Sequence, residues 1–332
     1  MKLVEHPKSV NEDITLSIIV PVYNEQEMLP IFNHHLSKAL SLLLNEHVEV
    51  IYINDGSTDD SWNAMSNLTN HYADIECINL SRNFGKEAAM TAGIDNARGE
   101  AIILLDADLQ DPPELIPKML NAWKQGFDVV NMKRSSRLGE SRLKRWSAHI
   151  YYRLLDHLSE VPLQKDVGDF RLLSRRVVDD IKKLSERSRY MKGILSWPGY
   201  KQTTISFERP ERVAGETKWS FFQLVKLGLS GITAFSVKPL QISTWVGTLI
   251  STSAFFYGLW VVAKTLFFGE TVAGYPSIML TQLFLGGVQL IAIGVLGEYI
   301  GRIYAETKGR PIYLIMDKQS QKNKSSMVKK HG

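Results

Sequence analysis

Asp106-Ala107-Asp108 follows the apolar pair Leu104-Leu105 and runs into Leu109-Gln110-Asp111-Pro112-Pro113-Glu114. Two carboxylates two positions apart, where a buried strand over 101–105 runs out, repel each other in a partly dehydrated crevice. A divalent cation removes that repulsion. Mg2+ and Mn2+ take oxygen ligands, typically one or two carboxylates with the remainder from water and a substrate phosphate. Asp106 and Asp108 therefore fit a nucleoside diphosphate with its metal. Taken alone, the same spacing is also that of a solvated turn before Pro112, and the surrounding chain has to decide between the two.

The elements that must position these acids are legible on either side. Leu16-Ser17-Ile18-Ile19-Val20-Pro21-Val22-Tyr23 is a strand-like run ended by Asn24-Glu25, and helical periodicity follows to about residue 44. A second strand over 48–53 ends in Asn54-Asp55-Gly56-Ser57, and Thr58-Asp59-Asp60 supplies capping side chains for a helix. A third over 75–80 leads into Ser81-Arg82-Asn83-Phe84-Gly85-Lys86 and a helix to about residue 97. Strands alternating with helices predict a parallel sheet covered on both faces. Ligands of such sheets sit at the carboxyl ends of the strands, and there the acids Glu25, Asp55 and Asp106/Asp108 all fall. Downstream, a helix over 113–125 and a strand over 128–132 precede a basic cluster, Lys133, Arg134 and Arg137. The stretch 141–158 is a basic, aromatic amphipathic helix suited to a membrane surface or to packing on the sheet. Periodicity does not decide the form of 166–174.

The 332 residues carry a formal charge of +4, with basic residues spread along the chain and no nucleic-acid-binding motif, so nucleic acid is not an expected partner. The single cysteine, Cys77, excludes an intrachain disulfide and a cysteine metal cluster and reads as a small apolar core residue. Residues 1–13 are polar, lack a signal peptide's apolar segment and read as a flexible N-terminus, leaving the α/β part, 14–217, in the cytoplasm. Composition changes sharply near residue 236. Two uncharged spans, placed at about 242–266 and 276–299 within a unit over 237–304, are each long enough to cross a hydrocarbon core of about 30 Å. Lys218, Lys226 and Lys238 precede them, Arg302, Lys308 and Arg310 follow, and the connection holds only Glu270. The positive-inside rule then predicts a two-helix hairpin with both flanks cytoplasmic, Lys264 snorkelling at its outer end. The stretch 218–236 reads as a juxtamembrane interfacial helix. The basic tail, 305–332, reads as disordered from residue 317 onward, close to anionic membrane lipid.

Ile19-Val20-Pro21-Val22-Tyr23-Asn24-Glu25, Asn54-Asp55-Gly56-Ser57, Arg82-Asn83-Phe84-Gly85-Lys86, Asp106-Ala107-Asp108-Leu109-Gln110-Asp111-Pro112 and Gly168-Asp169-Phe170-Arg171-Leu172 together resemble family 2 glycosyltransferases of the polyprenyl-phosphate type. The resemblance extends over about 16–314 and is nearest to the bactoprenol glucosyltransferase group of O-antigen modification, relatives of dolichol-phosphate mannose synthase. It implies a GT-A α/β fold and inverting transfer of a hexose from a nucleotide-sugar donor to undecaprenyl phosphate at the bacterial inner membrane. UDP-glucose is the favoured donor, with UDP-N-acetylglucosamine, GDP-mannose and other donors as alternatives. Carried over by motif, Pro21, Tyr23, Glu25 and Asp55 would bind base and ribose. Asp106 would contact the ribose or sugar and join Asp108 on Mg2+ or Mn2+, with Gln110 touching the sugar or metal shell.

Asp169 resembles the base of relatives whose acceptor is a sugar hydroxyl, and it acts here as a base or as an orienter of Arg171. A phosphate monoester, with a second pKa of about 6, arrives largely ionised and needs cations more than a base. Arg134, Arg137, Arg171 and Lys218 are the candidates to hold it, guanidinium being suited to phosphate by its forked donors. Asp111 and Glu114 read as turn and helix-start acids. Two rival readings are a processive polysaccharide synthase, whose Gln-x-x-Arg-Trp motif is missing at Arg142 to Trp146, and a membrane scaffold without catalysis. Glycines at Gly286-Gly287 and over 294–301 permit close helix contact and leave a homo-oligomer open.

Overall fold

A computed structural model describes residues 14–135, 167–208 except 185, 188, 190 and 196, 238–268 and 274–321. Arg137, Lys218, the helices expected over 141–158 and 218–236, the N-terminal 1–13 and the last residues, 322–332, lie outside them. The strands are β1 (Leu16–Val22), β2 (Val48–Asn54), β3 (Asp74–Leu80), β4 (Ala101–Leu104), β5 (Val129–Arg134), β6 (Val167–Ser174), β7 (Gln202–Phe207) and β8 (Ile315–Gln321). They form one sheet in the order β7-β5-β6-β4-β1-β2-β3-β8. β1 pairs parallel with both β2 and β4, β2 with β3, and β5 with β7. β6 runs antiparallel between β4 and β5, and β8 runs antiparallel along β3. The sheet is thus mostly parallel, as expected for a GT-A, Rossmann-like domain, with β6 and β8 as its antiparallel members.

The central strands are apolar on both faces because helices cover both. In α1 (Met28–Leu40) the four-residue spacing of Met28, Phe32, Leu36 and Leu40 makes one buried stripe. On α3 (Lys86–Asn96), Ala88, Ala89, Ala92 and Gly93 are buried and small, so the helix lies close on β1 and β2. A methyl group at Gly93 would fall inside the Ile19 side chain. The short α2 (Ser61–Ser66) begins three residues later than Thr58, and Asp59 supplies its first acceptor, taking the Ser61 N–H at 3.1 Å. Among the described residues, the remaining α-helices of this α/β unit are α4 (Ile116–Lys124), α5 (Arg175–Lys183) and the single turn α6 (Met191–Ile194). At the amino ends of the strands Glu49 is fully buried but satisfied, accepting from Ser17 Oγ at 2.5 Å and from three donors of Arg98.

β8 corrects the expectation of a disordered tail from residue 317. Its residues are mostly exposed and polar, so it is held by ladder hydrogen bonds and by tethers from its flanks. Ser81 N–H donates to the Leu314 carbonyl at 2.9 Å, Lys318 Nζ reaches Glu76 at 2.7 Å, and Tyr313 Oη donates to Asp95 at 2.9 Å.

A second compact unit lies within 220–309. It contains α7 (Lys238–Phe268) and α8 (Tyr275–Thr307), 31 and 33 residues long. Among the described residues, Phe284–Thr307 of α8 is long and apolar enough to cross a membrane, with a mean hydropathy of 1.5 and none of that window buried.

Candidate active site

The strand order reverses at β1: β2 and β3 lie to one side, β4 and β6 to the other. Pairing between β1 and β4 stops at Ile19 and Leu104, so the two strands part company two residues before Pro21. Proline, with no N–H to give, sits where β1 has no β4 neighbour left. A crevice at this reversal, beyond the carboxyl ends of the strands, is where open α/β sheets take ligands. Tyr23 stands at its rim, 44% exposed.

One wall is a loop beyond β1 laced to the loop beyond β2. Asn24, at φ 55°, accepts the Thr58 N–H on its Oδ1 at 2.8 Å. Glu25 N–H donates to Ser61 Oγ at 2.9 Å, and Gln26 Oε1 accepts the Asp60 N–H at 2.8 Å. Asp55 is buried, and its two carboxylate oxygens accept the N–H groups of Phe84 and Gly85 at 2.7 and 2.9 Å. Burial raises the Asp55 carboxyl above its ordinary range, and the two amides and Arg82 only partly oppose that. Gly56, at φ 62°, lets the Asp55 loop come against residues 82–83, because any Cβ there would meet the backbone of Arg82.

The opposite wall is built on β4, β6 and β5. Lys86, the first residue of α3, places its ammonium between two carboxylates, 2.7 Å from Asp106 Oδ2 and 2.9 Å from Asp169 Oδ2. Burial alone would pull this ammonium down, but the two acids outweigh it and hold it above its usual range. Asp169 reaches Asp106 because β6 runs antiparallel to β4, which brings its start to the carboxyl end of its neighbour. Beyond Asp106 the chain turns through Leu109 at φ 58°, a left-handed value uncommon for leucine, and Gln110 N–H donates to Asp108 Oδ1 at 3.0 Å.

Asp111 is not a surface turn acid. It is 2% exposed, and its Oδ1 has no hydrogen-bond partner, although Arg134 Nη2 stands 3.8 Å away. Burial, reinforced by the charge of Asp106, pushes its carboxyl up to about 7. Arg134 ends β5 on the same side and passes over Gly168, where an added Cβ would lie 3.3 Å from Nη2. Arg171 points under the crevice: it is 3% exposed and donates from Nη2 to the Gly168 carbonyl at 2.9 Å. Burial pulls its guanidinium down to about 10 against the opposing charge of Asp169.

Residues 17–182 match the glycosyl transferase family 2 model. Residues 238–303 match a second, the GtrB C-terminal hairpin. The chain belongs to glycosyl transferase family 2. This glycosyltransferase is 47% identical over 300 residues to a prophage bactoprenol glucosyl transferase homolog of Escherichia coli K12, covering 90% of this chain and 98% of that one. It is 46% identical over 304 residues to the bactoprenol glucosyl transferase of Shigella phage SfX, covering 92% and 99% respectively. Among solved structures, glucosyl-3-phosphoglycerate synthase from Mycobacterium tuberculosis, in complex with Mn2+, uridine-diphosphate and phosphoglyceric acid, aligns at 16% identity. Its TM-score is 0.40, over 66% of this chain and 75% of that chain.

The domain of this glycosyltransferase is a GT-A fold with its mostly parallel mixed sheet. Its structure gathers Asp106, Asp108, Asp169 and Arg134 beyond β4, β5 and β6, and Tyr23, Glu25 and Asp55 beyond β1 and β2. Arg171 lies beneath them. Two residues carry more than their sequence context announced. Lys86 closes the Arg82-Asn83-Phe84-Gly85-Lys86 stretch, whose sequence alone gives the lysine no role, and its partner Asp169 is 83 residues away. Asp111 looks like the turn acid that a following proline makes ordinary. The residues also fit a divalent cation. Among the described residues no three His, Cys, Asp or Glu side chains form a ready-made cage. The loop instead offers the carboxylates of Asp106 and Asp108, and Asp111 beside them is raised first by burial and then by the charge of Asp106. That donor set suits a hard cation completed by a ligand's own phosphate oxygens.

Proposed function

We propose that this glycosyltransferase moves glucose from UDP-glucose onto undecaprenyl phosphate at the cytoplasmic face of a bacterial inner membrane, with inversion at the anomeric carbon. The observation that carries the reading is the match to bactoprenol glucosyl transferases along 98–99% of their lengths. The geometry supports the assignment of parts. Tyr23, Glu25 and Asp55 flank the nucleoside side of the crevice, with Pro21 beneath. Asp106 and Asp108 would hold Mg2+ or Mn2+ for the donor's diphosphate, and Gln110 lies beside them in the same loop. The bound cation supplies charge stabilisation for the departing β-phosphate.

The acceptor is a phosphate, so this chain's own work is to bring two anions together. Arg134 has the position and the half-buried guanidinium to hold the lipid phosphate; Arg137 and Lys218 are further candidates. An oxygen of that phosphate attacks the sugar's anomeric carbon as the bond to the UDP β-phosphate breaks, and no proton has to move, since the nucleophile is ionised at neutral pH. Asp169 is then an orienter, held by Lys86, and Arg171 supports the Gly168 turn from below.

The membrane arrangement is part of the same reading: α7 and α8 form a two-helix hairpin with both flanks cytoplasmic. Connectivity favours it. β7 and β8 belong to one sheet, so the segment between them leaves and returns on one side, which demands an even number of crossings. With Phe284–Thr307 as one crossing, α7 is the long helix among the described residues that can supply the second. The apolar side chains of α7, among them Trp245, Leu249 and Phe255, are exposed as a lipid-facing helix requires.

The test is a panel of UDP-glucose, UDP-N-acetylglucosamine and GDP-mannose presented with undecaprenyl phosphate and Mg2+, read by the mass of the lipid. A hexose added from UDP-glucose is expected. A product from another donor alone would replace the sugar assignment, and no glycolipid from any donor would refute the reaction.

A further inference from the structure

Lys86 is the cation best placed to act on the acids of the crevice, and nothing in the family assignment gives it a role. It stands at the first position of α3, fixed there by the loop that Asp55 holds through Phe84 and Gly85. Its ammonium lies within 3 Å of both Asp106 and Asp169, which come from different strands and would otherwise face each other as like charges. Asp106 is also one of the two carboxylates assigned to the metal. The oxygen that Lys86 occupies, Oδ2, is one a cation would draw on.

We propose that Lys86 is a positioning residue that acts as a stand-in cation: it joins Asp106 to Asp169 before donor and metal bind, and it yields Asp106 to the metal when they arrive. The inference rests on the metal reading above. It makes the ammonium a competitor of the metal for Asp106, and a restraint that fixes where the Asp169 carboxylate lies. Once displaced, Lys86 remains tethered to Asp169, so a positive charge stays at the boundary between the donor's diphosphate and the acceptor phosphate. Two anionic reactants then meet beside a charge that did not have to be brought in with either of them.

The experiment measures Mn2+ binding to the purified full-length protein by calorimetry and by the loss of the free-ion EPR signal, without sugar or lipid. Lys86→Met removes the competitor and is expected to bind Mn2+ about tenfold more tightly than wild type, with a larger Mn2+-induced rise in thermal midpoint. Asp169→Asn leaves the ammonium wholly to Asp106 and is expected to bind Mn2+ more weakly than wild type. Transfer by Lys86→Met falls despite the tighter metal, and Lys86→Arg recovers part of it. The two opposite shifts are the signature, because a merely structural role for Lys86 would weaken Mn2+ binding in its variant. Equal or weaker Mn2+ binding by folded Lys86→Met overturns the proposal; should that variant not fold, unchanged or tighter binding by Asp169→Asn does so. Should the wild type show saturable Mn2+ binding only once UDP is added, the same comparison is made with UDP present; absence of saturable Mn2+ binding with UDP as well as without it would overturn the metal reading and this one with it.

Discussion

Replacing Asp55 by alanine removes the one carboxylate that ties the loop beyond β2 to the loop beyond β3. Two hydrogen bonds disappear, from Phe84 N–H at 2.7 Å and Gly85 N–H at 2.9 Å. Hydrogen bonds to a charged acceptor contribute about 1.5–3 kcal/mol each. Against that stands the relief of desolvating Asp55, whose raised carboxyl range shows that burial disfavours its charge. A net local loss of about 3 kcal/mol follows, and at about 1.4 kcal/mol per factor of ten the loop should open about a hundredfold more often. Asp55→Asn keeps one accepting oxygen and should show about half the loss in free energy. Hydrogen exchange followed by mass spectrometry is the direct assay, on peptides covering 82–88 and, as a reference, β2 and β3. The expected result is acceleration confined to 82–88. Unchanged exchange there in a folded Asp55→Ala protein would refute the bracing role, and equal acceleration through the sheet would show the effect to be global unfolding.

Asp108→Asn should keep the thermal midpoint of the wild type while transfer to lipid phosphate drops by about a hundredfold or more, measured as glycolipid formed; wild-type-like transfer would sink the metal assignment. Arg134→Ala should raise KM for undecaprenyl phosphate about tenfold, the equivalent of one charge-assisted hydrogen bond, with KM for the donor unchanged. Asp111 gives a pH dependence. Its carboxyl is pushed from an ordinary 3.8 up to about 7, so the folded state favours the proton, and the stability it contributes is full at low pH and lost as pH rises toward 7. Without divalent cations, the thermal midpoint of Asp111→Asn should therefore fall less than that of the wild type between those pH values, and parallel curves would exclude Asp111 as the source.

The strands around the crevice were legible because burial on both faces writes itself as an apolar run: Leu16–Val22 and Val48–Asn54 announce themselves, and the acids that follow mark where they end. β6 was not, since Gly168, Asp169 and Arg171 interrupt its apolar pattern. Arg171 is buried there through its bond to the Gly168 carbonyl, a tertiary circumstance that no periodicity carries. β8 was hidden for a different reason. An edge strand packs little, so Asp317, Lys318, Gln319 and Ser320 keep the composition of a solvated tail while their backbones complete a ladder. The site divides in the same way. Asp106 and Asp108 lie close in sequence and were readable as a pair. The Lys86–Asp169 contact joins positions whose nearness is created only when β6 returns beside β4.

The last strand of the sheet is also the last to be made. Translation finishes β1 to β7 while the outer edge of β3 still waits for a partner encoded beyond α8. Until the ribosome has passed residue 321, that edge is an open row of amide and carbonyl groups, and Ser81, at the head of the loop that carries Lys86, lacks the Leu314 carbonyl it will bond. If α7 and α8 form the membrane hairpin proposed above, correct insertion becomes a condition for finishing the catalytic sheet. A chain that crossed only once would deliver β8 to the far side, and its enzyme would be left with an unsealed edge for quality control to find. On the proposed topology, the same short polar strand that closes the fold would also report that the membrane step went right.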